Sequence, residues 1–275
     1  MNGQEHTSTL NFTENKGQYL SNIDYKLSIN EGDIYLENNK VTYNLFSRDL
    51  VSDIHHGKKN KNTIINGHTY SVSFENSLPN SQHFPDGKSS NYSNYFIGKD
   101  ESKWATNIYD FESVTYKNIY EGIDVKYYGY YGQVKYDFIV EPGAEPDQIL
   151  LSYKGIDKMT IKNGHLFLET NFGTLVENSP YVYQWVDGKQ KKIACEYFLK
   201  NNQVSFKLNQ EYDESLELII DPVLSFATYT GSSASNFGCT ATYDNAGNMY
   251  VGGTVFGLGY PTTIGAFQTN YSGGS

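Results

Sequence analysis

The chain is 275 residues long, with 21 basic against 31 acidic side chains for a formal net charge of -10, and it holds 25 Tyr and 15 Phe beside 25 Gly and 7 Pro. The basic residues are dispersed, which excludes a nucleic-acid backbone as partner, since clustered positive charge is needed to displace counterions, and an anionic membrane surface would repel the chain. No window approaches the roughly 20 apolar residues that cross a bilayer, so membrane insertion is not expected either. The length allows a large core and two unequal domains, and the abundance of aromatics among turn formers favours short strands over helices. The expected class is all-β, with packed antiparallel sheets in a sandwich-like arrangement and very little helix.

The N-terminal segment, residues 1–6, has neither a basic n-region nor an apolar h-region, so a signal peptide is absent or was removed, and removal is the reading adopted. Alternation of period two at 33–38 and 40–46, with Asn38-Asn39 between, marks a hairpin. The run His55-His56-Gly57-Lys58-Lys59-Asn60-Lys61-Asn62 reads as a solvated hairpin tip. Adjacent histidines on a regular strand face opposite sides, so a metal site there would need an irregular loop and outside ligands. Further strands are expected at 69–74, 113–116, 123–128, 134–140, 149–153, 159–162, 165–170, 174–176, 181–185, 192–199, 203–208 and 216–220. Residues 76–94 read as a long irregular connection, one of the few places for a binding loop. Asn163-Gly164 predicts a tight turn with two positive φ angles, and Pro146 opens at most one short helical turn.

Asp124 and Asp137 are the best-spaced pair of carboxylates for acid-base chemistry. Alternation, however, places Val125, Tyr127, Val134, Tyr136, Phe138 and Val140 on one face and Asp124, Lys126, Lys135 and Asp137 on the other. A turn at Gly129-Tyr130 would set Lys135 opposite Asp124 as an ion pair on a solvated face, a scaffold role. The aromatic groups Tyr127-Tyr128, Tyr130-Tyr131 and Tyr181-x-Tyr183-x-Trp185 could stack on sugars, although sheet packing is the commoner use. Cys195 and Cys239 lack zinc spacing and read as buried thiols rather than a bridge. Gly257-Leu258-Gly259 lacks the third glycine of a dinucleotide loop, and no hydrolase elbow, zincin or Walker motif is present.

A domain boundary is expected at Ile219-Ile220-Asp221-Pro222, where an apolar strand ends in a proline and the composition shifts to small residues. This divides the chain into an all-β domain at 10–221 and a shorter unit at 222–275. Asp244 with Gly247-Asn248 offers too few carboxylates for a calcium loop and reads as a tight turn before a strand. The motif Asp244-x-x-Gly247-Asn248-x-Tyr250-Val251-x-Gly253-Thr254, followed by Tyr260-Pro261-Thr262-Thr263-x-Gly265-Ala266-Phe267-Gln268, resembles the SBBP repeat, the β-propeller repeat of large secreted bacterial proteins. The family's blades carry Phe where Tyr260 stands.

The preceding part is similar to the uncharacterised N-terminal domain that commonly precedes such repeats. The similarity runs through Phe12-x-Glu14-Asn15-x-Gly17-Gln18, Tyr120-Glu121-Gly122-Ile123-Asp124-x-x-Tyr127-Tyr128-Gly129, Lys135-Tyr136-Asp137-Phe138-x-Val140-x-Pro142-Gly143-Ala144 and Ile220-Asp221-Pro222. The resemblance implies a secreted or cell-surface protein of the Bacteroidetes type, exported by the type IX system and associated in some members with adhesion or gliding motility. It brings no catalytic residues.

The expectation is therefore a non-catalytic extracellular module at the N-terminal end of a larger surface protein, serving adhesion or display. No catalytic, cofactor-binding or metal-binding residues are assigned, and no cofactor. Partners are a protein or glycan on a surface and the remainder of its own longer chain. A glycan-binding accessory module of a secreted enzyme and a hydrolase with an unrecognised site are the alternatives. Residues 222–275 hold only part of a propeller blade, so Tyr250, Val251, Phe256 and Phe267 are expected to pack on the larger domain or on a neighbouring chain.

Overall fold

The computed structural model describes residues 10–29, 31–79, 81–101, 104–130, 133–222, 224–225, 236–243 and 249–255. The chain is all-β. It opens with β1 (Phe12–Glu14), β2 (Ile23–Ile29), β3 (Gly32–Glu37) and β4 (Lys40–Phe46), then a helix, α1 (Arg48–His55), then β5 (Gly67–Phe74). A long pair, β6 (Gln82–Tyr95) and β7 (Ala105–Tyr120), leads to β8 (Ile123–Tyr130), β9 (Gln133–Val140), a 3₁₀ turn at Pro146–Gln148 and β10 (Leu151–Lys154). There follow β11 (Lys158–Lys162), β12 (His165–Thr170), β13 (Gly173–Glu177), β14 (Tyr181–Val186), β15 (Lys189–Ile193), β16 (Cys195–Lys200), β17 (Gln203–Leu208) and β18 (Leu218–Asp221). The last described strands are β19 (Leu224–Ser225), β20 (Asn236–Tyr243) and β21 (Met249–Val255).

One 15-stranded sheet runs in the order β15-β14-β18-β9-β8-β7-β1-β2-β3-β4-β5-β10-β17-β16, with β6 added along β7. Its end strands, β15 and β16, are joined in sequence through Ala194 alone, so the sheet curls until its two ends adjoin. The antiparallel sheets are as expected, but the larger one is bent into a nearly closed barrel rather than laid flat as a sandwich half. A second sheet, β11-β12-β13-β19, contributes Met159, Leu166, Leu168 and Leu175 to the same core as Val125, Phe138, Leu151 and Phe206. Strands β20 and β21 pair with each other. The Tyr260 to Gln268 motif, and the side chains of Tyr250, Val251, Phe256 and Phe267, lie outside the described residues.

Three expectations need correction. The segment before His55 is a helix, capped at its N-terminus by the Ser47 side chain, which accepts from the Leu50 N–H; two short turns were too few to show a helical stripe. His55 and His56 are exposed as expected, but at a helix end rather than a hairpin tip. The stretch 76–94 is mostly strand: β6 pairs with β7 from Gln82↔Lys117 to Tyr95↔Ala105. Its side chains are largely exposed, so no apolar alternation marked it, and the ladder to β7 fixes its conformation. Finally, 192–199 is two strands, broken at Ala194 where the chain passes across the barrel seam.

Asn163 and Gly164 take φ of 53° and 81° between the paired Lys162 and His165, a type I′ hairpin turn. A Cβ on Gly164 would lie 2.5 Å from Ser179 Oγ. Gly164→Val should lower stability by about 1–3 kcal/mol through backbone strain and this clash. A thermal melt followed by circular dichroism checks it, and an unshifted curve would contradict the role given to the turn.

Candidate ligand-binding cleft

Strand β1 is only three residues long, and beyond Glu14 the chain leaves the sheet in a loop that Asn15 organises. The Asn15 side chain accepts from the Gly17 and Tyr19 N–H groups and donates to the Leu20 and Ile23 carbonyls. The chain re-enters through β2 with a β-bulge: Ile23 lies opposite Glu37 and Tyr25 opposite Leu36, leaving Asp24 as the extra residue. Bulges re-aim side chains, and here the carboxyl of Asp24 meets His83 of β6. Between them is a cleft of about 530 Å³ walled by Glu14, Tyr19, Ser21, Asp24, Tyr25 and His83.

Asp24 Oδ2 lies 3.6 Å from His83 Nδ1, too far for a good hydrogen bond. Burial raises the Asp24 pKa and lowers that of His83, each against the pull of the other, so both groups shift toward their neutral forms. Burial also pushes the Tyr25 phenol up to about 12. The Tyr116 ring, opposite His83 in the β6–β7 ladder, lies 4.1 Å from the imidazole. Among the described residues, Asp24 Oδ2, His83 Nε2 and Tyr116 Oη are all buried without a hydrogen-bond partner. Leaving such groups unpaired costs about 1–3 kcal/mol each. Ser21 shares the cleft, and among the described residues His83 Nε2 is bonded to no hydroxyl.

The carboxylates singled out from the sequence lie elsewhere and behave differently from expectation. The β8–β9 turn falls two residues later than Gly129-Tyr130, so Lys135 faces Tyr128 and Asp124 faces Ile139. The register was misjudged because the glycine at 129 fits a tight turn as well as a strand end. Asp124 is 1% exposed and bonds Lys117 and the Asn118 N–H. Lys135 instead reaches Asp221, at 2.6 Å. Asp137 accepts from the Tyr128 hydroxyl at 3.1 and 3.2 Å, and burial followed by the Asp221 charge pushes its pKa up to about 6. The expected face assignment holds on the inner side, where Val125, Tyr127, Val134, Tyr136, Phe138 and Val140 are all buried. The opposite face is less solvated than expected.

Tyr181, Tyr183 and Trp185 form a ladder on β14 with centroid spacings of 5.5 and 6.2 Å, and Trp185 is exposed. Cys195 is a free, half-buried thiol whose pKa burial pushes up to about 12. Asp244, Gly247, Asn248, Gly257 and the side chain of Cys239 lie outside the described residues. Among the described residues no three His, Cys, Asp or Glu side chains come together as a metal site.

Two features escaped the sequence. In the core, Glu177 accepts from Tyr136 at 3.2 Å and Tyr153 at 2.9 Å, while burial raises its pKa. A larger open hollow of about 1120 Å³, lined by Glu145, Asp147, Glu211 and Glu214 below the exposed Phe198, contains none of the unpartnered buried groups, so the Asp24–His83 cleft is the better site. No helix among the described residues is long and apolar enough to cross a membrane. No curated protein and no solved structure matches the chain. Residues 12–223, which span β1 to β18, match one family model, and the chain belongs to that family, described as Domain of unknown function (DUF7948).

Proposed function

We propose that this chain is a non-catalytic recognition module at the N-terminal end of a larger secreted or cell-surface protein, serving adhesion or display. The observation that carries the reading is the cleft itself. It gathers buried, unpartnered hydrogen-bonding groups next to solvent, and its imidazole is bonded to no nucleophile. Four carboxylates elsewhere are engaged in the fold: Asp33 with Lys26 and Arg48, Glu37 with Lys40, Asp124 with Lys117 and Asp221 with Lys135. The likeness of the C-terminal motif to the SBBP repeat supplies the extracellular setting, type IX export and the association with adhesion and gliding. The glycan-binding alternative draws support from the tyrosines and carboxyl group of the cleft wall.

An array of bacterial and host surface polysaccharides and proteins, probed with the labelled full chain, tests the proposal. Saturable retention on at least one component, with the retained material chemically unchanged, is expected. Cleavage of a retained component would make the protein a hydrolase, and absence of retention on every component would overturn the recognition role.

A further inference from the structure

The polar groups of the Asp24–His83 cleft also limit what it can hold. Asp24 and His83 keep side-chain exposures of 30% and 19%, so each shows an edge to the cleft. At 3.6 Å neither satisfies the other. A hydroxyl both donates and accepts, so two neighbouring hydroxyls can meet a carboxyl and an imidazole at once. A cleft of about 530 Å³ is in the range of pockets for small organic ligands.

Charge narrows the ligand further. An anion would face Glu14 and Asp24 together. A cation would compete with positions already taken: Lys16 is 2.8 Å from Glu14, and Lys26 Nζ stands 5.7 Å from the Tyr19 ring centre. A neutral ligand with adjacent hydroxyls and an apolar face for Tyr25 remains. Asn15 is not available to it, because its amide is committed to the loop at both ends.

We infer that the cleft between β2 and β6 binds a pyranose unit of a neutral glycan, with Asp24 and His83 meeting two neighbouring ring hydroxyls. This rests on the recognition role proposed above. Tyr116, 1% exposed with its ring 4.1 Å from the imidazole, is a positioning residue that backs His83.

The test is a ligand-observed NMR titration of the full chain with the methyl pyranosides of glucose, galactose, mannose and N-acetylglucosamine. At least one should bind, and Asp24→Ala should weaken it about tenfold or more, the loss of one good hydrogen bond. His83→Ala should weaken it by a similar factor, while Tyr116→Phe, which keeps the ring behind His83, should leave binding nearly unchanged. If Asp24→Ala fails to fold, the His83→Ala titration decides the matter. No binding of any pyranoside, or binding that both alanine variants leave intact, overturns the assignment. Retention on the surface array without pyranoside binding would place recognition elsewhere and leave the broader role standing.

Discussion

Glu177→Ala should destabilise the protein by about 3–5 kcal/mol, because it orphans two buried tyrosine hydroxyls at about 1–3 kcal/mol each and opens a cavity. Glu177 is 4% exposed at the end of β13, among Tyr43, Tyr127, Tyr136 and Tyr153. Its hydrogen bonds from Tyr136 and Tyr153 favour the charged form, but burial outweighs them and raises its pKa. A carboxyl whose folded pKa exceeds its unfolded value near 4.3 binds its proton more tightly in the folded state. Its contribution is most favourable below the unfolded pKa, declines as pH rises through that value and levels off above the folded pKa. Glu177→Gln keeps the shape without the charge, so it should cost less than Ala and remove this part of the pH dependence. Chemical denaturation of both variants from pH 4 to 8 measures it, and parallel stability-pH curves for Glu177→Gln and the parent chain would contradict it.

Gly32→Ala should be comparably damaging for a purely steric reason. Gly32 has φ of 141°, and a Cβ there would lie 2.0 Å from the Asn44 carbonyl oxygen and 3.0 Å from Leu45 Cα. Both obstacles are backbone in the neighbouring strand β4, so neither can swing aside, and the β3–β4 register would have to open. Opening it would also disturb Arg48, which donates to the Gly32 and Ile29 carbonyls and pairs with Asp33. A loss of about 3 kcal/mol, or a fall in Tm of about 6–12 °C, is expected. Gly173 supplies the control, since its φ is 134° but nothing lies within 4 Å of an added Cβ. Gly173→Ala should cost only its backbone strain, and an equal loss at the two positions would rule out the approach to Asn44 as the cause.

The parts of the fold legible in the sequence are those set by local chemistry. Asn163-Gly164 closes its hairpin because its positive φ angles suit the twist of the flanking strands, and the alternation of Val125, Tyr127, Tyr136 and Phe138 faces the core as read. The cleft was not legible, because nothing local marks it. Asp24 acquires its direction from a bulge defined only by pairing to β3, and His83 sits on a strand whose exposed side chains conceal its existence. Glu177 falls just past the strand expected at 174–176; the tyrosines that hold it come from β9 and β10, brought together only when the sheet curls. The extra aspartate in a bulge and the lone histidine at the start of β6 left no spacing signal that could have joined them.

The central contrast is between hydroxyls satisfied in the core and those left unpaired at the cleft, and removing one of each separates them. Tyr153→Phe deletes a hydroxyl that donates to Glu177 at 2.9 Å, whereas Tyr116→Phe deletes one that is buried with no partner. Measured side by side by denaturant unfolding, Tyr153→Phe should lose about 1–2 kcal/mol, while Tyr116→Phe should be unchanged or up to about 1 kcal/mol more stable. Equal losses for the two would contradict the account, because they would show the Tyr116 hydroxyl to be bonded into the folded framework rather than unpartnered beneath the cleft.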